Sequence, residues 1–580
     1  MTPCRITLLV IPALLASSIA GATWPDDPLV NVPVSTVPGE KYDVFIVTDG
    51  QDGALIAWED DRAGQTDIYL QRLDADGNPV WLEGGRVVCN AAEDQALYHS
   101  SDGTCGIIPM VSDSQGGAFV VWQDNRSFSF RQRDIYCQRM DGDGAPLWSA
   151  NGVAVAIGAG NEDEPSMCSD GAGGVIIVWQ DKNDDPIFNN LYGQRLNSDG
   201  QALWNSGAPM PIILLDWNQG SPTLCPDGQG GVFLVWSDNQ IDVNDLHAQR
   251  LGPDGVALWE TDGVVVVAAD GNQNTPVIFM SNDGNPILSW RDQRGGDYDI
   301  YAQKLNSTTG ASLWTGNGVA LCTAANSQYR PSICTDGQGG AIVSWFDYRI
   351  ASGPPWDLNI YAQRVLADGS TAWQYDGAPV CMAPDAQRDS RLISDGLGGA
   401  LVAWEDNRAG EGREDIYMQH LDADGQPQLV VDGQAVCIAS GNQMRPNLVL
   451  GAGGVIIAWP DDRNALYVPD IYADRVEINN SSPVSLPVAQ AVTLKAWPNP
   501  FNPQTTITFS LERAGWTEVG VYDLTGRLLD VLANRTFDAG QQSVVWNGQD
   551  TTGRAVPSGT YVIRLETESG VEARKVMLLR

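Results

Sequence analysis

Aspartate and arginine return along this chain at a fixed spacing. Asp60, Asp61 and Arg62 precede Asp67-Ile68-Tyr69, and the pattern recurs as Asp124, Arg126 and Asp134, as Asp292, Arg294 and Asp299, and as Asp406, Arg408 and Asp415. Such a set would serve as a ring of ligand-binding arginines or of cation-binding aspartates. The structural use is an arginine whose planar fork of donors bonds the carboxylate opposite it in a hairpin, while the aspartate ends its strand in an Asx turn. Repetition favours the structural use, because a substrate site breaks symmetry whereas a group needed in nearly every copy is architectural.

Other candidates for chemistry are weaker. The Asp-x-Asp-Gly turns at Asp74 to Gly77, Asp141 to Gly144 and Asp422 to Gly425 resemble the start of a calcium loop but lack its remaining ligands, and their length suits a hairpin. Weak Ca²⁺ binding at the surface is the most they allow, and no cofactor is expected. Gln219, Gln273, Gln328, Gln387 and Gln443 are expected three residues ahead of a first strand, lining one rim or capping inner strands. The histidines are His99, His247 and His420, the last at a position held elsewhere by Arg139 or Arg364. No Ser-His-Asp order, zinc-ligand cluster or phosphate loop accompanies them, so no catalytic, cofactor-binding or metal residue is assigned. A glycosidase-type pair of carboxylates leaves no trace in sequence.

The elements that carry these residues are copies of one unit. Trp58, Trp122, Trp179, Trp236, Trp290, Trp345, Trp404 and Trp459 lie 54 to 64 residues apart, and a period held so long means stacked or radially arranged repeats. A second tryptophan, at 81, 148, 204, 259, 314 and 373, gives way to Leu429 in the seventh unit, as suits a packing role. Each unit offers four short apolar segments, for example PSMCSDG at 165–171, GGVIIVWQD at 173–181, LYGQRLN at 191–197 and GVAVA at 152–156. Rich in Val, Ile and Tyr and bounded by Asp-Gly or Gly-Gly, they read as antiparallel strands. The eighth unit ends after residue 478 without a fourth segment, while residues 31–50 align without a gap on residues 152–171. The expected fold class is therefore all-β: an eight-bladed β-propeller over residues 29–478, closed by an N-terminal strand that completes the last blade.

Asymmetry points to where a specific site would lie. The longest departures from the repeat are Ala91 to Ile108, Ser127 to Arg133, Lys182 to Asn190, and Ile350 to Asn359 with Pro354-Pro355-Trp356-Asp357. Trp217 and Tyr329 add aromatics to two connections. Loops on a rigid scaffold commonly hold recognition residues, so an extracellular glycan or protein ligand is expected at these rim loops.

Composition narrows the partners. Lys plus Arg number 34 against 72 Asp plus Glu, for a formal net charge of -38. That excess argues against nucleic acid and anionic membrane, both polyanions. Residues 1–22 read as a signal peptide, with Arg5, the apolar run Ile6 to Leu15 and the small residues Ala20-Gly21-Ala22. Cys89, Cys322, Cys381 and Cys437 share one repeat position, and Cys168, Cys225 and Cys334 another, as small core residues would. Cys105 sits in an insertion within reach of a bridge to Cys89.

After a polar linker at 479–493 the period stops. New strands are expected at 506–511, 517–523, 543–548 and 559–568, with turns at 524–527 and 551–554, a small β-sandwich over residues 494–580. Pro498-Asn499-Pro500-Phe501-Asn502-Pro503, Tyr522-Asp523-Leu524-Thr525-Gly526-Arg527, Trp546-Asn547-Gly548 and Lys575-Val576-Met577-Leu578-Leu579-Arg580 resemble the C-terminal sorting domains of type IX secretion cargo. They also resemble the immunoglobulin-like domain of the flagellar hook-capping protein. The resemblance implies passage across an outer membrane, secretion machinery as partner of residues 494–580, and in that family frequent replacement of the tail by a surface anchor. The eightfold region loosely resembles sialidase and TolB propellers, but its Ser-Asp-Gly-x-Gly-Gly turn is not the sialidase Asp-box, and no catalytic residue carries over.

Together these features predict a secreted or cell-surface, non-catalytic binding or adhesion propeller. The alternatives are an extracellular carbohydrate-active enzyme with a central pocket, and a structural surface protein. The enzyme would show inward carboxylates or arginines without repeat equivalents, at least one with a strongly perturbed pKa.

Overall fold

The computed structural model describes residues 24–25, 27–97, 108–127, 133–158, 160–182, 188–239, 243–350, 358–410, 412–451, 453–478, 495–497, 499, 501–511, 515–522, 527–537, 540–551, 553–567 and 570–579. The expected signal peptide, linker, His99, Cys105, Pro354 to Asp357, most of the three other insertions and part of the 524–527 turn lie outside them. The chain is all-β; among the described residues the one helical element is a 3₁₀ turn at Asn205–Gly207. It forms two compact units, Met1–Val484 and Ser485–Arg580.

In the first unit the described strands form eight antiparallel sheets. The seventh is representative: Gln387–Ser394, Ala400–Asp406, Asp415–Leu421 and Gln434–Cys437 pair in that order. The second strand of each sheet reads as a nearly continuous apolar run because both of its faces are covered. Alternate residues of Ala400–Asp406 enter different cores: Ala400, Val402 and Trp404 pack with the sixth sheet, Leu401 and Ala403 with the eighth. The strands expected at 173–181 and 191–197 in the third unit and at 152–156 in the second fall where predicted to within a residue or two, whereas the first strand of the third unit begins earlier, at Glu162.

The N-terminal strand Val32–Ser35 pairs with Asp470–Glu477 and supplies the fourth strand of the last sheet. Val32, Val34 and Trp24 share one core with the first and last sheets. Trp24 has a role that the sequence did not disclose. Its indole donates to Ala75 O at 2.9 Å, as Trp373 does to Ala423 O and Trp314 to Ala367 O, so it is the second tryptophan of the eighth sheet.

Glycines let these tryptophans close against the backbone. Gly425, with φ near +74°, lies beneath Trp373, and a Cβ there would come within 2.7 Å of the ring. The Asp-x-Asp-Gly turn is therefore a packing element. Asp422 accepts from the Asp424 and Gln426 amides, closing its own turn.

The second unit has a three-stranded sheet (Lys495–Trp497, Thr505–Leu511, Gly540–Trp546) and a four-stranded one ordered Leu528–Phe537, Gly515–Tyr522, Gly559–Thr567, Gly570–Leu578. Phe501, Ile507, Phe509, Trp546, Tyr561 and Ile563 are among the side chains in its core. Three strands beyond the expected four complete it: 495–497, 528–537 and 570–578.

Candidate functional site

The repeated charged residues form a scaffold, with one correction to the expected pairing. Arg408 bonds not the carboxylate opposite it but Asp406, two residues back in its own strand, through Nε at 2.8 Å and Nη2 at 2.6 Å. The Trp404 indole donates to the same carboxylate at 2.7 Å, and the guanidinium lies 3.8 Å from the centre of the Tyr417 ring. The Arg408 amide bonds Asp406 at 3.0 Å, which is the expected Asx turn. The same tryptophan, aspartate, arginine and tyrosine meet in five other sheets, at Trp58, Trp122, Trp290, Trp345 and Trp459.

Arginine also ties sheet to sheet. Arg408 Nη2 donates to Cys381 Sγ of the preceding sheet at 3.3 Å, and Arg126, Arg349 and Arg463 do likewise to Cys89, Cys322 and Cys437. Burial pushes these four thiols up to about 12. Cys89 is a free thiol in this tie, and Cys105, its expected bridge partner, lies outside the described residues.

The carboxylates opposite the arginines remain costly. Burial pushes Asp415 up to about 6, with Arg413 opposing and Asp406 adding to the rise; Asp299 is raised similarly. A folded-state pKa above the unfolded value of about 3.9 means that ionisation destabilises the fold. The penalty is absent below about pH 4 and complete above the folded pKa. Asp415→Asn should thus raise the melting temperature at pH 7.5 and leave it unchanged at pH 4; equal effects at both pH values would refute this assignment.

The rim expected of the glutamines is revised. Gln273, Gln328 and Gln387 line no rim: each is wholly buried, is the first residue of its strand, and donates to carbonyls of the preceding connection, as Gln328 does to Asn326 O at 2.9 Å. Gln219 and Gln443 are buried likewise. The capping role is the one they fill. His420 substitutes for the arginine that elsewhere binds the Ser-Asp-Gly aspartate, bonding Asp395 at 3.0 Å. His247 packs against Trp236 with ring centres 5.7 Å apart and planes tilted by 38°, and burial lowers its pKa against the pull of Asp238. Among the described residues no group of three or more His, Cys, Asp or Glu is placed to hold a metal ion.

What fails to repeat gathers at the start of the first strands. A bulge there puts Asp43, Glu164, Ser221, Thr275, Arg330, Asp389 and Arg445 at equivalent positions with φ of 48° to 54°. The positive φ of the bulge re-aims these side chains. Beside them lie the residues that follow the strand tryptophans: Glu59, Gln123, Gln180, Ser237, Arg291, Phe346, Glu405 and Pro460. Scaffold positions are nearly invariant, whereas these eight include acid, amide, cation and aromatic.

Within this array the first, second, seventh and last sheets form two clefts that share Asp43. One, of about 270 Å³, is lined by Asp43, Glu59, Ala96, Leu97, Gln123, Asn125 and Arg133. The other, of about 490 Å³, has an apolar wall that includes Tyr42, Met444, Pro460, Leu466 and Tyr467. Arg445 reaches Asp43 at 3.1 Å, and its amide bonds Glu405 at 3.2 Å. Burial raises the Glu59 carboxyl well above the usual range, and Asp43 and Asp94 add to this, against the Leu97 amide and Arg445. Glu405 is also raised by burial, but Arg388 stands 3.5 Å from it. Tyr329, singled out in the sequence, belongs to the same array, stacked on Phe346 at 5.7 Å beside Tyr298 and Tyr348. Trp217 is half-buried near Asp238.

Residues 499–570 match the FlgD Ig-like domain. That segment lies within the second unit and leaves the eight sheets outside the match. FlgD from P. aeruginosa is 25% identical over 13% of this chain and 59% of its own, with a TM-score of 0.12. An α-L-arabinanase from Penicillium chrysogenum is 13% identical over 54% of this chain and 92% of its own, with a TM-score of 0.32. PorZ, a surface component of the type IX secretion system of Porphyromonas gingivalis, is 13% identical over 93% of this chain and 70% of its own, with a TM-score of 0.28. No curated protein matches the chain. Among the described residues no helix is long and apolar enough to cross a membrane.

Proposed function

We propose that residues 29–478 form a closed eight-bladed propeller that is exported, displayed outside the cell and used to bind a ligand, with residues 494–580 acting as its sorting domain. Two wrap-around ties support closure: Arg475 of the last sheet donates to Ala75 O of the first at 3.1 Å, and Arg62 of the first bonds Ser35 of the last at 3.3 Å. The observation that carries the binding function is the non-repeating array at the bulges. A purely structural ring has no use for a buried acid, an amide and an aromatic wall around two clefts at one seam of an otherwise uniform scaffold.

Glycan and peptide arrays probed with the mature protein, with and without calcium, test this reading. Binding without turnover, unaffected by chelation, is the expected result. Self-association with no ligand would favour a structural subunit instead.

One observation favours a second reading, a carbohydrate-active enzyme. Glu59 is a carboxyl with a strongly raised pKa beside a second carboxylate, Asp43, the arrangement of a general acid with its partner. Turnover of an array glycan, lost in Glu59→Gln, would replace the binding reading with this one.

A further inference from the structure

We propose that the smaller cleft, between Glu59 and Gln123, is a subsite for one neutral, hydroxyl-bearing sugar unit, with the apolar wall around Tyr42 and Tyr467 carrying the next unit of the same glycan. This rests on the binding reading above and names its ligand class.

The geometry supplies the polar contacts. Glu59 is 8% exposed, and its Oε1 is buried with no partner; Gln123 is 3% exposed, and its Nε2 likewise has none. The orientation of Gln123 is fixed by chemistry. Arg133 Nη1 lies 3.1 Å from the Gln123 oxygen, and a guanidinium only donates, so the amide NH₂ must face away from it. The two residues that carry this buried donor and this buried carboxyl oxygen both line one cleft of about 270 Å³. Leaving such groups unpaired is costly, and a ligand hydroxyl that both donates and accepts would recover that cost.

Charge argues against the obvious rival, an ammonium group. The arginines at the cleft are already engaged, Arg133 with Asp163 at 2.8 Å and Arg445 with Asp43 at 3.1 Å. Asp43 is therefore neutralised within the protein. Burial holds the Glu59 carboxyl well above the usual range, which disfavours a charge there. The groups that act on it are Asp43, Asp94, Arg445 and the Leu97 amide, and Arg133 lines the same cleft. The adjoining wall suits a sugar face: Leu466 and Tyr467 are 63% and 76% exposed, on the loop of the eighth unit's hairpin.

The test titrates the full chain with methyl pyranosides of glucose, galactose, mannose and xylose, and with butylamine as the cation, by saturation-transfer NMR. At least one pyranoside should bind and butylamine should not. Affinity should fall at least tenfold in Gln123→Leu and in Glu59→Leu, and stay within threefold in Glu59→Gln, whose amide keeps a donor. Binding by the wild type should weaken as pH rises through the raised pKa of Glu59, and Glu59→Gln should lack that dependence. Unchanged melting temperatures identify variants that report on the site. Amine binding in place of sugar binding overturns the proposal. If array glycans bind but the Glu59 and Gln123 variants do not alter them, the subsite is wrong and the binding reading stands. If no glycan or pyranoside binds, the subsite is refuted; array peptides then decide the broader reading.

Discussion

Asp406→Ala is expected to destabilise the protein by about 3–5 kcal/mol, the range for breaking one side of a buried ion pair. Asp406 is fully buried and receives the Trp404 indole, the Arg408 amide and both arms of the Arg408 guanidinium. Removing it orphans a buried indole N–H and leaves the guanidinium with Asp432 O at 2.6 Å, a weak thiol acceptor and the face of Tyr417. Thermal unfolding is the check. For a cooperative unit of roughly 450 residues each kcal/mol moves the melting temperature by about 1 °C, so a fall of about 3–5 °C should appear. Asp406→Asn keeps an acceptor and loses the charge, and should fall between. A loss below about 1 kcal/mol in the alanine variant would mean that the repeated cluster is surface decoration and that the tryptophans alone hold the sheets.

The contrast between Asp406 and Asp415 explains what the sequence could and could not disclose. Both recur at fixed spacing, and a linear pattern gives no way to decide which one the arginine takes. The hairpin geometry decides: Arg408 lies just past the strand end and folds back onto its own aspartate and across Tyr417. Period, strand type and the missing fourth strand were all readable, because hydrophobic alternation and turn residues are local signals that eight copies average clean. The buried glutamines were misplaced because glutamine at a strand start reads as exposed polarity, and only the fold shows the carbonyls that it caps. Trp24 was passed over because it stands eight residues before its strand, outside the frame of the other second tryptophans.

The candidate site was least legible for a physical reason. It is built from positions whose identity varies from sheet to sheet, so averaging over copies erases them. Glu59 differs from Gln123 and Phe346 at the same place, and only the three-dimensional seam shows that two of these face one cleft. A signal was present in the pattern itself: the residue after each strand tryptophan is the one interior position that never settles on a type. Tyr467, an aromatic between Asp461 and Asp470 where the hairpin between Asp406 and Asp415 has none, was a second such signal.

Deleting residues 1–36 is expected to have the largest effect of all, because it removes a strand from a sheet that the rest of the chain cannot complete. Val32, Pro33 and Ser35 pair with Ala473, Tyr472 and Ile471, and their loss would leave the Asp470–Glu477 strand as an open edge. The cores of the first and last sheets would lose Trp24, Val32 and Val34, all buried, at about 1.5–3 kcal/mol apiece. Asn31 would no longer bond Val436 O at 3.1 Å, Asp474 at 2.8 Å and Arg463 at 2.7 Å. The sum rivals the entire stability of about 5–15 kcal/mol typical of a folded domain. The truncated chain should therefore aggregate or melt far below the intact protein. A synthetic peptide spanning residues 23–37, added in excess, should restore much of the loss by strand addition. An open array of sheets would instead lose only a frayed end. A truncated protein that stays monomeric and melts within about 2 °C of the intact chain would refute closure, since a change that small corresponds to about 2 kcal/mol in a unit of roughly 450 residues.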